Sequence, residues 1–112
     1  MKLDHKNQSF EAFPKFKGGE GQLDAKMFFD GKCRILSAQL QPGCTIGEHQ
    51  HVGNSEIIFI LEGTGTVICD GEKEIIEAGN CHYCPEGSTH TLRNESDSVI
   101  SFVAVVPEHH VG

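Results

Sequence analysis

The middle of the chain carries the stretch that decides the fold, GCTIGEHQHVGNSEIIFILEG at residues 43–63. It contains His49 and His51, a short turn and then Glu56, and a further histidine, His90, follows later in the chain. Three imidazoles and one carboxylate are side chains that hold a divalent transition metal and leave coordination positions open for chemistry. A metal site formed by these four residues is therefore the first hypothesis.

Alternation along β-strands places the candidate residues on shared faces. His49 and His51 are two residues apart, so in a strand they point the same way. Glu56 opens an apolar run and shares one face of it with Ile58 and Ile60. Because the other face is apolar too, we expect this strand to be buried on both sides. A charged Glu56 is costly to bury there unless a metal ion compensates it.

Glycines divide the central region into short pieces that are rich in β-branched and aromatic residues. Pieces of this composition suit a pleated sheet. We predict strands at residues 33–41, 56–61, 65–69, 74–77, 90–94 and 99–106. Asp70-Gly71 separates two of them and is typical of a type I′ hairpin turn. No stretch after residue 30 has a sustained helical period, and the short, regularly spaced strands indicate an all-β sandwich or barrel.

The first 30 residues are harder to interpret. Phe10, Phe13 and Phe16 recur every three residues, but Pro14 would break a helix there. We expect an arm of edge strand that packs on the barrel or on a second subunit, then a turn at residues 18–21 and a strand that begins at residues 27–29. Residues 1–30 are thus assigned to the arm and first strand, residues 31–107 to the barrel and residues 108–112 to a solvated tail.

Composition limits the classes of function. The 112 residues, 38% hydrophobic and 22% charged, suit one globular domain. A net charge of −7 argues against nucleic-acid binding, and neither a signal peptide nor a membrane-spanning run is visible, so we expect a cytoplasmic protein. The odd number of cysteines, five, indicates reduced thiols. The Cys81-x-x-Cys84 spacing invites a redox or zinc interpretation, but structural thiols are favoured and the roles of both residues stay open.

Two spaced motifs resemble those of the cupin superfamily. The first has the form G-x5-H-x-H-x(3,4)-E-x6-G, and its fixed positions here are Gly43, His49, His51, Glu56 and Gly63. The second has the form G-x5-P-x-G-x2-H-x3-N, and its fixed positions are Gly79, Pro85, Gly87, His90 and Asn94. The 15 residues between the motifs, 64–78, match the short spacing of small microbial cupins.

The resemblance implies an all-β, double-stranded β-helix, a jelly-roll barrel with the metal inside. It implies that His49, His51, Glu56 and His90 bind one divalent transition metal ion (Mn, Fe, Ni, Co, Cu or Zn), and that Asn94 is structural. It also implies a homodimer, as in other small cupins, in which an exchanged N-terminal arm is common.

The resemblance does not choose the chemistry, because one fold hosts many functions. Decarboxylases of oxalate in this superfamily carry an arginine three residues before the first motif histidine, where this chain has Ile46. The first hypothesis is a small metal-dependent oxidoreductase, dioxygenase-like, with an apolar cavity at Ile58, Ile60 and Leu92. The alternatives are a non-catalytic module that binds or senses a small molecule, and a decarboxylase or isomerase of a small organic acid. Candidate groups around the metal ligands are Gln39, His82, Tyr83 and Arg93.

Overall fold

The computed structural model describes residues 1–109, and these fold into two antiparallel sheets that face each other. The strands are β1 (Glu11–Pro14), β2 (Gln22–Phe29), β3 (Cys33–Leu40), β4 (Thr45–Gln50), β5 (Glu56–Glu62), β6 (Thr64–Cys69), β7 (Glu72–Glu77), β8 (Cys81–Cys84), β9 (Thr89–Arg93) and β10 (Ile100–Pro107). One sheet has the order β1-β2-β3-β10-β5-β8 and the other the order β4-β9-β6-β7. The predicted all-β cupin barrel is confirmed.

Alternating side chains from both sheets build one core. Along β10, Ile100, Phe102 and Ala104 point inward and are at most 1% exposed, while the residues between them face outward. Opposite them, the four-stranded sheet contributes Val67 and Leu92. The layers therefore pack as a sandwich whose interior is apolar except where the candidate site lies.

In the described part of the chain, helical structure is confined to two 3-10 helices of three residues, His5–Asn7 and Phe16–Gly18. Within residues 1–109, no helix could cross a membrane. The predicted arm is real, since β1 forms the edge strand of the six-stranded sheet and pairs with β2 of the same chain. β2, however, ends at Phe29 rather than starting near it, because Leu23 and Ala25 already alternate with polar residues that face outward.

The Asp70-Gly71 turn and the side-chain amide of Asn94 have clear structural roles. Asp70 and Gly71 both adopt positive φ, 50° and 82°, as the predicted type I′ turn between β6 and β7 requires. Asn94 is 1% exposed, and its side-chain amide donates to the carbonyl oxygens of Leu40 and Ser98, each at 2.8 Å. This buried amide ties the end of β3 to the loop before β10.

The prediction that β5 is buried on both sides is wrong. Its inward face is closed, but on its outward face Phe59 is 48% and Leu61 is 60% exposed. Tyr83 of the neighbouring strand β8 lies opposite Ile57 and is 56% exposed. The reason is that no element of the described chain covers this end of the six-stranded sheet, so an apolar outer face is left open.

The end of the described chain is hydrogen-bonded to the barrel, although His109 is exposed. Glu108 forms an isolated antiparallel β-bridge with Asn54. The backbone N–H of His109 donates to the carbonyl oxygen of Gly53 at 2.8 Å. The ring of His109 also bonds to the hydroxyl of Ser55 at 2.9 Å. His110, the other tail histidine, lies outside the described residues.

Candidate metal centre

The four predicted ligands, His49, His51, Glu56 and His90, meet inside the barrel and are called the metal quartet below. His49 lies on β4 directly opposite His90 on β9, and His51 follows β4 by one residue. Glu56 is the first residue of β5 in the other sheet, so the quartet joins the two layers. The turn between His51 and Glu56 brings the last ligand across from one sheet to the other.

The donor atoms of the quartet converge on one point. The Oε1 atom of Glu56 lies 2.9 Å from Nε2 of His90, 3.2 Å from Nε2 of His51 and 4.0 Å from Nε2 of His49. The Nε2 atoms of His51 and His90 are 3.0 Å apart. All four donor atoms lie within 4.8 Å of one another.

These separations suit a single metal ion held by all four side chains. Metal–ligand bonds of about 2.1 Å allow donor atoms about 3–4 Å apart, and the Oε1 atom of Glu56 lies between 2.9 and 4.0 Å from the three Nε2 atoms. An ion bound by these four residues would have room for a further ligand if it were six-coordinate.

Hydrogen bonds orient every histidine of the quartet. In each ring Nδ1 contacts another protein group, which leaves Nε2 directed at the shared point. The Nδ1 partners are the Gly47 carbonyl oxygen for His49 at 2.7 Å, Asn54 Oδ1 for His51 at 2.7 Å and His82 Nε2 for His90 at 3.0 Å. Carbonyl oxygens accept only from Nδ1–H, so in neutral His49 and His51 the Nε2 atom carries the lone pair that a metal-binding histidine requires. In the metal-free protein, a proton taken up by His51 lies on Nε2 and donates to Glu56.

The electrostatics of the site favour a charged carboxylate. Burial alone would raise the pKa of Glu56, but hydrogen bonds from His51 and His90 lower this pKa to about 2. The hydrogen bond with Glu56 raises the pKa of His51, whereas burial lowers the pKa of His49. Two unprotonated nitrogens 3.0 Å apart repel each other unless a cation lies between them, so a divalent ion suits this donor set.

A cavity of about 370 Å³ opens beside the quartet. Half of its lining residues are apolar, and they include Phe16, Leu23, Met27, Leu36, Ile46 and Phe102. Two cationic residues, Lys17 and Arg34, and one carboxylate, Glu108, also line it. The quartet therefore faces a chamber with room for a small molecule that has both apolar and anionic parts.

Close backbone contact brings Lys17 to the cavity. A Cβ atom on Gly47 would collide with the carbonyl oxygen of Lys17, and one on Gly19 would collide with the carbonyl oxygen of Thr45. Only glycine lets the segment around the second 3-10 helix lie this close to β4. Lys15 and Lys17 adopt positive φ, 51° and 55°, which turns the chain back over the cavity.

The other sequence-based candidates have mixed outcomes. His82 does contact the quartet, through Nδ1 of His90. Gln39 and Tyr83 face outward from the six-stranded sheet and Arg93 is exposed, so these three lie away from the quartet. The residues expected to form the cavity, Ile58, Ile60 and Leu92, instead belong to the packed core. Lys17 and Arg34 were missed, because no sequence motif marks them.

The cysteines do not form the pair that their spacing invites. Cys81 faces outward on β8, whereas Cys84 faces inward and is fully buried. Instead, Cys84 groups with Cys69 and His82, whose potential ligand atoms lie within 4.8 Å of one another. All five cysteines are free thiols.

The chain matches one protein-family model and is similar in sequence and structure to proteins from Thermotoga maritima. The family model described as "Cupin domain" matches residues 36–106. An oxalate-binding protein of Thermotoga maritima is 29% identical over 102 residues, which cover 86% of this chain and 84% of that protein. The crystal structure of a predicted oxalate decarboxylase from Thermotoga maritima superposes with a TM-score of 0.90 and 26% identity, over 96% of this chain and 99% of that one.

More distant structures share the fold alone. The cupin domain of Cnp3 from Schizosaccharomyces pombe has a TM-score of 0.79 at 10% identity, over 96% of this chain and 74% of that one. An RmlC-like cupin from Shewanella frigidimarina has a TM-score of 0.78 at 16% identity, over 96% and 90% of the two chains.

Proposed function

Since this chain belongs to the cupin domain family, we propose that it is a metal-dependent binding protein for a small organic acid. In this proposal the metal quartet holds one divalent transition metal ion, and the acid binds in the adjoining cavity. The observation that carries it is the convergence of four donor atoms beside a chamber lined by Lys17 and Arg34. A relative that is named for binding oxalate supports an acid as the ligand class.

The net charge of the loaded centre favours an anion. Three neutral imidazoles and one carboxylate leave a divalent ion with a charge of about +1. The ammonium group of Lys17 and the guanidinium group of Arg34 add positive charge to the same cavity. Glu108 offsets one of these charges, so an acid with two carboxylates is balanced best.

The number of protein donors also favours a chelating acid. Four side chains would leave a six-coordinate ion two positions for other ligands. Two neighbouring carboxylates, as in oxalate, would fill both. The bound metal would polarise those oxygens, while this chain's own residues place the acid and exclude water.

Ile46 sets a limit on this interpretation. It lines the cavity at the position where the decarboxylases discussed above have an arginine. Positive charge reaches the cavity from Lys17 and Arg34 instead, so an acid ligand still has cationic partners there. Because Ile46 replaces the arginine that is typical of the decarboxylases, we propose that this chain binds an acid without decarboxylating it.

The experiment is a calorimetric titration of oxalate into protein that is either stripped of metal or loaded with Mn²⁺. We expect binding only to the loaded form, with no product released during the titration. Acetate, which has one carboxylate, is the matched control and should bind much more weakly. Equal binding of oxalate to the metal-free protein would contradict the proposal.

A dioxygenase-like oxidoreductase is the second candidate. The observation that favours it is the apolar wall of the cavity, which suits an apolar or aromatic substrate next to an ion with free positions. Oxygen uptake that requires both Fe²⁺ and such a substrate would establish this activity and displace the binding proposal. Release of carbon dioxide from oxalate without oxygen uptake would instead establish a decarboxylase.

We further propose a homodimer that closes the open apolar face of the six-stranded sheet. Phe59, Leu61 and Tyr83 are each about half exposed there, and such patches are typical of protein interfaces. A second copy of the chain is the proposed occupant.

The five free thiols support the proposal of a cytoplasmic, reducing environment.

A further inference from the structure

We propose that Cys69, His82 and Cys84 form a second metal site, which takes a thiophilic ion of the class of Cu⁺, Zn²⁺ or Cd²⁺. Thiolate sulfur and imidazole nitrogen are the ligands that such ions select. This inference goes beyond the proposed function, because none of the three residues belongs to the metal quartet.

The two sheets deliver these side chains to one place. On β8 the inward residues are His82 and Cys84, and Cys84 lies opposite Glu56 of β5. Cys69 ends β6 in the other sheet, opposite His90 of β9. The cluster therefore lies on the far side of two quartet residues, at the seam between the layers.

The spacing of the cluster suits a small ion. The potential ligand atoms lie within 4.8 Å of one another. With metal–sulfur bonds of about 2.3 Å and metal–nitrogen bonds of about 2.0 Å, such atoms sit about 3.5–4 Å apart, so a small contraction completes the site. Cys84 is fully buried, whereas Cys69 is partly exposed and leaves a route from solvent.

The state of the thiols favours a metal site over a reactive cysteine pair. Burial, and then the proximity of Cys69, raises the pKa of Cys84 to about 12, and burial also raises the pKa of Cys69. Protonated thiols are poor nucleophiles and react slowly with oxidants. A thiophilic ion, in contrast, displaces both thiol protons as it binds.

His82 links the cluster to the metal quartet. Its Nε2 atom lies 3.0 Å from Nδ1 of His90, and a neutral imidazole has only one nitrogen with a free lone pair. Neutral His82 can therefore accept a hydrogen bond from the Nδ1–H group of His90 or bind the thiophilic ion, but it cannot do both. The second site should fill most readily when the quartet holds no ion.

The test is a titration of the reduced, metal-free protein with Cd²⁺, followed by the ultraviolet charge-transfer band of cadmium bound to thiolate. We expect one equivalent of Cd²⁺ to produce the band in the wild type. The band should disappear in Cys69→Ser and in Cys84→Ser, and persist in Cys81→Ser, whose thiol lies on the same strand but faces outward. Circular dichroism checks that each variant folds. If Cys84→Ser does not fold, Cys69→Ser still provides the test, because Cys69 is partly exposed.

Glu56→Gln separates this site from the quartet. We expect the band to persist in this variant with equal or higher affinity. Three results would overturn the second site: loss of the band in Glu56→Gln, absence of the band from the wild type, or survival of the band in Cys69→Ser. Failure of oxalate to bind the Mn²⁺-loaded protein is a different measurement and bears only on the proposed function.

Discussion

Replacing Glu56 by glutamine should change how the stability of the metal-free protein depends on pH. The pKa of this carboxyl falls from 4.5 to about 2 on folding, because His51 and His90 donate hydrogen bonds that outweigh the effect of burial. Glu56→Gln keeps the shape of the side chain and removes its titratable carboxyl. Between neutral and acid pH, the free energy of unfolding should therefore fall more steeply in the wild type than in this variant.

The sign and the size follow from the shift. A group whose pKa is lowered by folding contributes stability above its unfolded pKa and loses this contribution as pH falls through the folded value. A shift of about 2.5 units corresponds to about 3 kcal/mol, of which about 2 kcal/mol is lost between about pH 5 and pH 3. On this basis the wild type loses about 2 kcal/mol more than Glu56→Gln over that interval.

Urea denaturation of both proteins in a chelator, at several pH values, measures this difference directly. Other carboxylates titrate in the same way in both proteins and cancel in the comparison. Parallel curves for the wild type and Glu56→Gln would refute the reasoning, since they would mean that the imidazoles do not hold the carboxylate ionised.

The remaining predictions concern the cavity wall and the open sheet face. Gly47→Ala should destabilise the protein by about 1–3 kcal/mol in urea denaturation, because its Cβ would collide with the backbone of Lys17, and an unchanged midpoint would contradict this close contact. Lys17→Ala and Arg34→Ala should each weaken oxalate binding to the Mn²⁺-loaded protein about tenfold, or ~1.4 kcal/mol, whereas Lys73→Ala on β7 should leave calorimetric affinity unchanged. Phe59→Asp should convert the proposed dimer to a monomer in light scattering, and a wild type that is already monomeric would remove the proposed interface.

The sequence was sufficient to predict the quartet because its positions are set locally. His49 lies on β4, His51 follows two residues later, and a short turn carries the chain to Glu56. The fixed spacing of the second motif then supplies His90. These features depend on neighbouring residues and on motif positions, both of which can be read without a structure.

The cavity wall depends on contacts that the sequence does not display. Lys17 reaches the cavity through positive φ at two lysines and through the close approach of Gly19 to β4. Positive φ is uncommon for residues with a Cβ atom, so nothing in the sequence predicts it at Lys17. The exposed face of β5 was missed for a related reason, since an apolar residue such as Phe59 can face either a core or an uncovered surface.

His82 and Cys69 show the same limit. Their proximity to His90 and Cys84 arises from the register of β8 against β5 and of β6 against β9. Register between strands that are distant in sequence is fixed by packing of the whole sandwich. The Cys81-x-x-Cys84 spacing was therefore a poor guide, because alternation sends its two thiols to opposite faces.

The most direct test of the central claim is an anomalous-scattering map at the manganese edge, from crystals grown with Mn²⁺ and oxalate. We expect one strong peak among the donor atoms of His49, His51, Glu56 and His90, with oxalate in contact with the metal on the side that faces the cavity. A map without a peak at these residues, or with oxalate bound elsewhere, would contradict the central claim.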